Sequence, residues 1–223
     1  MALKKPKGYL LLQKDFEHLY TGKYTDIIET FPTLKPKIFE FAKTRKNSSK
    51  DKNLELLLSL EQGSEDTSNI ACFLLIPSLL AVTSVRLRNT SKKIWRPSKA
   101  ESTAGFILHV RCDSEIRNAV KTKQNKFQEL GLTVQPFIII VGESLEKIKT
   151  YFIVINEIYY TVSSILTAVS LCFKITWVVN AQYPVECHST WMFIQAAFFK
   201  FRTKFDSNST SALTLLGELG IDC

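Results

Sequence analysis

The segment that most constrains the fold is 135–199, because it contains buried-strand and buried-helix patterns and almost no residues suited to catalysis. Pro136–Val141 is a continuous apolar run ended by Gly142, and such a run is typical of an interior strand covered on both faces. Ile165–Val179 follows, and its apolar residues occupy most of the helix circumference. The sequence therefore predicts a sheet packed against a helix that is itself nearly enclosed.

Two further runs predict that this sheet contains a hairpin. Tyr151–Ile155 and Ile158–Thr161 are rich in β-branched and aromatic residues, and Asn156 and Glu157 between them suit a two-residue turn. Phe106–Val110 is a short strand pattern earlier in the chain. Together with the helix patterns, these strands predict an α+β fold, in which a helical N-terminal region precedes a small, largely antiparallel sheet covered by helices.

Helix signals place the remaining elements and the domain boundaries. In the N-terminal part, Pro32 and Pro36 are expected to split two short amphipathic helices, because proline lacks the N–H that a helix interior uses. Asp113 and Ser114 supply N-cap oxygens for a helix that Gly131 is placed to end. We predict four parts: a helical region 1–83, a basic linker 84–103, an α+β domain 104–205, and a C-terminal tail 206–223 that could form a short helix.

The composition bounds the class of protein. The chain has 223 residues, 45% of them apolar, which is enough to bury a substantial core and excludes a disordered chain. Its formal net charge is +8 and its pI is about 9.2. A basic balance of this size favours contact with nucleic acid or another anionic surface, but it carries no information about the fold.

Cysteine use and the N-terminus predict an intracellular, nuclear or cytoplasmic protein. The five cysteines are an odd number at irregular spacings, which indicates free thiols in a reducing compartment. Met1–Lys7 has no apolar core of the kind found in a signal peptide. Ile70–Val82 is too short for a membrane span, and Thr161–Val179 carries Lys174, whose charge is costly in a bilayer. We therefore expect no membrane partner.

The segment 84–100 is the candidate nucleic-acid site. It contains six basic residues, no acidic residue and one tryptophan, a combination that can bind phosphates and stack a base. The alternative is a solvated linker whose tryptophan fixes it to the neighbouring domain, and basic runs often have no binding function. The candidate contact residues are Arg86, Arg88, Lys92, Lys93, Trp95, Arg96 and Lys99.

The residues suited to catalysis or metal binding are scattered along the chain. His109 precedes Cys112 by three positions and Cys187 is adjacent to His188, whereas structural zinc sites normally have paired spacings such as Cys-x2-Cys. Cys187 near a helix N-terminus could have a lowered pKa, but no base and orienting residue can be assigned to it. Gly142 lacks the further glycines of a dinucleotide fingerprint. We predict no catalytic residue, no metal site and no cofactor.

Several short motifs are spread over the second half of the chain, and each is specific as a pattern. They are Trp95–Ser98, Gly105–Val110, Leu130–Pro136, Ala168 with Cys172–Lys174, Asn180–Cys187 and Thr203–Asp206. These motifs resemble a group of animal proteins described as similar to sterile alpha motif domain-containing protein three, and Tyr9–Ala42 resembles the helical segment that precedes this region in them. The resemblance is to the C-terminal region of those proteins, with no sterile alpha motif in this sequence, and it implies no enzymatic mechanism.

Together these observations favour a non-catalytic protein-interaction or scaffold module, with a protein partner and no cofactor. The alternative is a nucleic-acid-associated protein that uses the basic segment 86–99. A third interpretation is an enzyme, which would require a concave pocket containing titratable groups with perturbed pKa values.

Overall fold

The structure is a computed structural model that describes residues 7–48, 51–87, 94–204, 206 and 209–221. Within these ranges the α-helices are α1 (Lys7–Leu19), α2 (Ile27–Ser48), α3 (Lys52–Ser59), α4 (Glu65–Leu79), α5 (Lys99–Phe106), α6 (Asp113–Glu129), α7 (Ile165–Val178), α8 (His188–Ala197) and α9 (Thr210–Glu218). The strands are β1 (Val85–Arg86), β2 (Ile94–Trp95), β3 (Ile107–Val110), β4 (Phe137–Gly142), β5 (Ile148–Ile155) and β6 (Ile158–Val162). Short 3-10 helices at Leu60–Gln62 and Val185–Cys187 precede α4 and α8.

The central sheet has four strands in the order β3-β4-β5-β6. β3 runs parallel to β4, and the connection between them contains α6, because parallel neighbours cannot be joined by a tight turn. β4 with β5 and β5 with β6 are antiparallel. The predicted α+β fold is thus confirmed, and the sheet is mixed with two antiparallel pairings out of three. β1 and β2 form a separate antiparallel hairpin.

Side chains that alternate between the two faces of the sheet form two separate hydrophobic clusters. In β4, Ile138 and Ile140 point into the larger cluster, whereas Phe137, Ile139 and Val141 point into the smaller one. The larger cluster contains α7 and residues of α1, α2, α4, α8 and α9, and the smaller one lies under α6. Every residue of β4 is buried, which confirms the prediction of an interior strand.

Helix α2 corrects the prediction that Pro32 and Pro36 separate two helices, since it continues through both prolines to residue 48. The missing N–H groups would have bonded the carbonyls of Ile28 and Pro32, four residues earlier. All three residues lie on the exposed side of the helix, so water can solvate those carbonyls. The opposite side buries an apolar stripe that holds the helix in place: Phe31, Leu34, Ile38, Phe39 and Ala42.

The start of α6 also differs from the prediction. The residue at the N-cap position is Cys112, without a side-chain cap, and Asp113 is the first helical residue. Glu115 instead reaches back, and its Oε2 accepts a hydrogen bond from the Arg111 backbone N–H at 2.9 Å. Gly131 adopts φ +65°, as expected for the residue that ends this helix.

The predicted boundaries can be compared with the elements. α5 begins inside the segment predicted as a linker, α9 lies in the predicted tail, and the larger cluster contains residues from Phe16 to Ile221. The four-part division itself stays a prediction. Among the helices in the described ranges, none combines the length and the apolar character needed to cross a bilayer.

Candidate functional site

The basic segment forms the β1–β2 hairpin. Arg86 and Arg96 are exposed, and Ile94 beside them is 63% exposed. Three other basic residues of the segment lie outside the described residues: Arg88, Lys92 and Lys93. The described part of the hairpin therefore presents two arginines and one apolar side chain to solvent.

Trp95 packs against α6. Its ring meets the buried Phe127 ring edge-on, with centroids 5.8 Å apart, and the Lys126 Nζ lies 5.3 Å from the centroid of the Trp95 ring. Lys126 also forms an ion pair with Glu101, the residue that completes the capping box of α5. These contacts fix the hairpin to α6 and α5 and engage the partly exposed Trp95 side chain in packing.

Lys99 is turned away from the hairpin toward the end of α4. Although the residue as a whole is exposed, its Nζ donates to the carbonyls of Pro77 (3.3 Å), Ser78 (2.8 Å) and Leu80. A cation at a helix C-terminus satisfies carbonyls that have no intrahelical partner and interacts favourably with the helix dipole. Burial of the ammonium lowers the pKa of Lys99. The side chain thus caps α4, and the structure does not place it beside Arg86 and Arg96 as a phosphate ligand.

A partly buried chain of polar side chains crosses the space between α7 and α8. Trp177 Nε1 donates to the Tyr183 hydroxyl at 2.9 Å, which donates to Gln195 Oε1 at 2.7 Å. Gln195 Nε2 donates to Asp206 at 2.7 Å, and Asp206 also accepts from the Thr203 backbone and hydroxyl. Burial raises the pKa of Tyr183 well above its ordinary value, so the phenol stays protonated and is unsuited to act as a base.

A cavity of about 470 Å³ lies beside this chain. Its lining includes Trp177, Tyr183, His188, Met192 and Asp206. Burial lowers the pKa of His188, which keeps the imidazole neutral near pH 7. Among the described residues, the cavity wall contains no cysteine or serine, and the polar groups of Tyr183 and Asp206 are used within the chain of hydrogen bonds just described. The arrangement stabilises the packing of α8 and resembles no nucleophile–base pair.

Lys123 and Glu186 form an ion pair between α6 and the 3-10 helix before α8. The Lys123 Nζ lies 2.5 Å from Glu186 Oε1, and the two side chains are 12% and 2% exposed. Glu186 fits beneath α5 because residue 105 is glycine: a Cβ there would lie 2.3 Å from Glu186 Cγ. Glu186 Oε2 is buried and accepts no hydrogen bond from the described residues. The pair joins three elements, and its ammonium also lies 4.8 Å from the Phe127 ring centroid.

The cysteines and histidines are the other residue types in this sequence that are suited to catalysis or metal binding. Cys72, Cys172 and Cys187 are buried free thiols, and burial raises the pKa of each. For Cys187 this corrects the lowering that a nearby helix N-terminus suggested, because desolvation of the thiolate dominates. His109 Nε2 lies 2.8 Å from the Gly142 carbonyl and ties β3 to the end of β4. In the part of the chain that the structure describes, no three His, Cys, Asp or Glu side chains are grouped to hold a metal ion.

The end of the sheet at β6 is a further feature with binding potential. β6 is the last strand in the order, and among the described residues β5 is the strand that pairs with it. Its sequence, Ile-Tyr-Tyr-Thr-Val, contains no charge, proline or glycine. Tyr159 packs in the smaller cluster and Tyr160, which is partly buried, packs against the larger one on the opposite face. Ile158, Tyr160 and Thr161 remain partly exposed.

Sequence reasoning identified the strand Ile158–Thr161 but not its position at the edge, because strand order is a property of the tertiary fold. No local signal marked it as an edge strand, because a strand without charge, proline or glycine is typical of an interior position. Comparisons with protein-family models, with curated proteins and with solved structures find no match to this chain. The resemblance described above stays a prediction.

Proposed function

We propose that this chain is a non-catalytic protein-interaction module that binds an extended protein segment along β6. The observation that supports this proposal is the uncharged edge strand at the end of the sheet order. A peptide added beside such an edge gains main-chain hydrogen bonds, and alternate side chains supply specificity. The buried free thiols of Cys72, Cys172 and Cys187 fit a module that works inside the cell, in the nucleus or the cytoplasm.

The hairpin register defines which main-chain groups are available. The two-residue turn joins Ile155 to Ile158, so Ile158, Tyr160 and Val162 direct their N–H and C=O groups toward β5. Tyr159 and Thr161 therefore direct theirs to the open side. Each main-chain hydrogen bond formed there would contribute about 0.5–1.5 kcal/mol net. Natural edge strands are usually protected by charges, prolines or bulges, and β6 has none of these.

A peptide-selection experiment tests this function. A displayed library of extended eight-residue peptides is selected for binding to the chain and counter-selected against the Thr161→Pro variant. This variant loses the N–H that faces the open side of β6 and keeps every hydrogen bond to β5. Thr161→Val, which keeps the N–H, is the matched control. We expect peptides that bind the chain and Thr161→Val, lose binding to Thr161→Pro, and slow hydrogen exchange at Tyr159 and Thr161. Peptides that bind all three proteins equally, or none at all, would contradict the proposal.

The second candidate is a nucleic-acid-associated protein, and the exposed Arg86 and Arg96 favour it. Because Trp95 packs against α6 and Lys99 caps α4, the basic segment would bind nucleic acid through the charges of its remaining basic residues. Binding to single-stranded nucleic acid should then fall steeply with salt and weaken when Arg86 and Arg96, or Lys92 and Lys93, are changed to alanine. Trp95→Phe should leave the affinity unchanged. Salt-insensitive or absent binding would eliminate this candidate.

A further inference from the structure

We propose that the segment bound along β6 is the β6 strand of a second copy of this chain, so that two sheets join into one of eight strands. This inference rests on the proposed function, because it uses the same open edge. The partner strand would run antiparallel, related by a two-fold axis that passes beside Tyr160. A dimer with closed two-fold symmetry is the commonest form of homo-oligomer, and here it would pair the β6 edge of each copy.

The register follows from the positions of the open groups. Tyr159 and Thr161 carry them, and they are placed symmetrically about Tyr160. Pairing Tyr159 with Thr161 of the second copy, and Thr161 with its Tyr159, forms four N–H···O bonds and leaves none of these groups unpaired. Tyr160 then faces its own counterpart as a non-hydrogen-bonded pair, whose Cα atoms are typically about 4.5 Å apart.

The side chains favour this self-pairing over a charged foreign segment. β6 contains only aromatic, β-branched and hydroxyl residues, so no like charges meet across the new ladder. The same register brings the exposed Glu157 of one copy opposite the exposed Ser163 of the other, next to the first turn of α7, whose N-cap is Ser164. A carboxylate near the N-terminus of a 14-residue helix interacts favourably with the helix dipole.

Sedimentation velocity of the full chain over a wide concentration range tests the association. We expect a monomer–dimer equilibrium for the chain and for Thr161→Val, and an at least tenfold weaker dimer for Thr161→Pro with unchanged circular dichroism. Because each copy has a net charge of +8, added salt should screen the repulsion and strengthen the dimer. Nucleic-acid binding would show the opposite dependence on salt.

Cysteine cross-linking tests the register. In a background with Cys112→Ser and Cys223→Ser, Tyr160→Cys places two thiols across the axis at a separation suited to a disulfide, and mild oxidation should link the dimer. Ile158→Cys is the matched control, because its own counterpart lies four residues further along the ladder, roughly 13 Å away. Selective linkage through residue 160 supports the inference. Equal linkage at both positions, or none in a dimer that sediments normally, overturns the register.

The outcomes separate this inference from the function on which it rests. A chain that stays monomeric at every concentration, or a dimer that Thr161→Pro leaves intact, overturns self-pairing. If selected peptides still bind the β6 edge in that case, the proposed function stands with a foreign partner. If both experiments fail, the edge has no binding role.

Discussion

The two faces of the four-stranded sheet are covered to very different depths. On one face, α7 lies against the strands and is itself covered by α1, α2, α4 and α8, within a cluster that reaches from Phe16 to Ile221. On the other face, among the described residues, α6 contributes Ile116 and Val120 and covers seven buried strand residues: Val110, Phe137, Ile139, Val141, Phe152, Val154 and Tyr159. The first face is several layers thick and the second is one helix thick.

The two faces also differ in how far water reaches the carboxylates of their ion pairs. Each face has one largely buried lysine in an ion pair, Lys174 with Asp26 on the thick face and Lys123 with Glu186 beside α6. The partners differ in hydration, because Asp26 is 29% exposed and Glu186 only 2%. Solvent access to the carboxylate, rather than burial of the lysine, should therefore decide what each pair contributes to stability.

The largest expected effect is the loss of unfolding free energy when a buried phenylalanine is truncated, and each face of the sheet offers one such residue. Phe173 on the thick face stacks on Phe199, with centroids 3.8 Å apart, whereas Phe152 on the thin face meets only Tyr159 edge-on at 6.3 Å among the aromatic rings described. Phe173→Ala should destabilise near the upper end of ~3–5 kcal/mol and Phe152→Ala near the lower end, since a thin layer collapses more easily into a cavity. Urea unfolding measures both, and equal losses would contradict the difference between the faces.

Removal of the Lys123 charge should have the next largest effect. Lys123→Met keeps the contacts with Phe127 and Phe137 but leaves the Glu186 carboxylate buried and unpaired, which should cost about 3 kcal/mol. Glu186→Gln added to Lys123→Met should recover most of that loss. A double-mutant cycle from chemical denaturation provides the measurement. An unchanged unfolding free energy for Lys123→Met would show that the pair contributes nothing to stability.

The matched change on the thick face should cost less. Lys174→Met leaves Asp26 able to hydrate, so we expect a loss of about 1–2 kcal/mol, between the values typical of exposed and buried pairs. The same denaturation series compares it with Lys123→Met. If Lys174→Met proved the more damaging variant, hydration of the partner would not be the deciding factor.

The smallest expected effect is a pH dependence from His188. Burial lowers the pKa of His188 below its ordinary value of about 6.5, so the unfolded chain binds a proton more readily than the folded chain. Stability should therefore decline as pH falls through about 6.5 and stop declining, for this group, below the folded pKa. The unfolding free energy of the chain minus that of His188→Gln, measured between pH 8 and 5, should fall toward low pH. A flat difference would contradict a buried neutral imidazole.

Local patterns predicted much of the sheet side of the molecule. The apolar run of β4, the turn before β6 and the helix predicted over Ile165–Val179 are all confirmed, because each depends on neighbours in sequence. The continuity of α2 was not predicted, because the proline rule considers the lost N–H groups and not the side of the helix on which they fall. Whether that side is exposed depends on which other helices pack against it.

The candidate site was harder to predict than the fold. The composition of the segment that contains Trp95 and Lys99 favoured nucleic-acid binding. In the structure, Lys99 caps α4, whose last residues lie about twenty positions earlier, and Trp95 packs against α6. Neither contact has a local sequence signal, because both depend on how α5 and α6 dock. The open groups of Tyr159 and Thr161 likewise depend on strand order.

The long-range contacts of α1 and α2 have a consequence for synthesis on the ribosome. The Thr25 backbone N–H donates to the Phe199 carbonyl and the Thr30 hydroxyl donates to the Phe198 carbonyl, while Phe16 packs against Phe173. At 5–20 residues per second, the N-terminal helices emerge roughly 10–40 s before those partners exist. Over that interval their apolar stripes have no final cover, so the nascent chain should be a chaperone client, and this part of the fold should be completed only after the segment around Phe199 has left the ribosome.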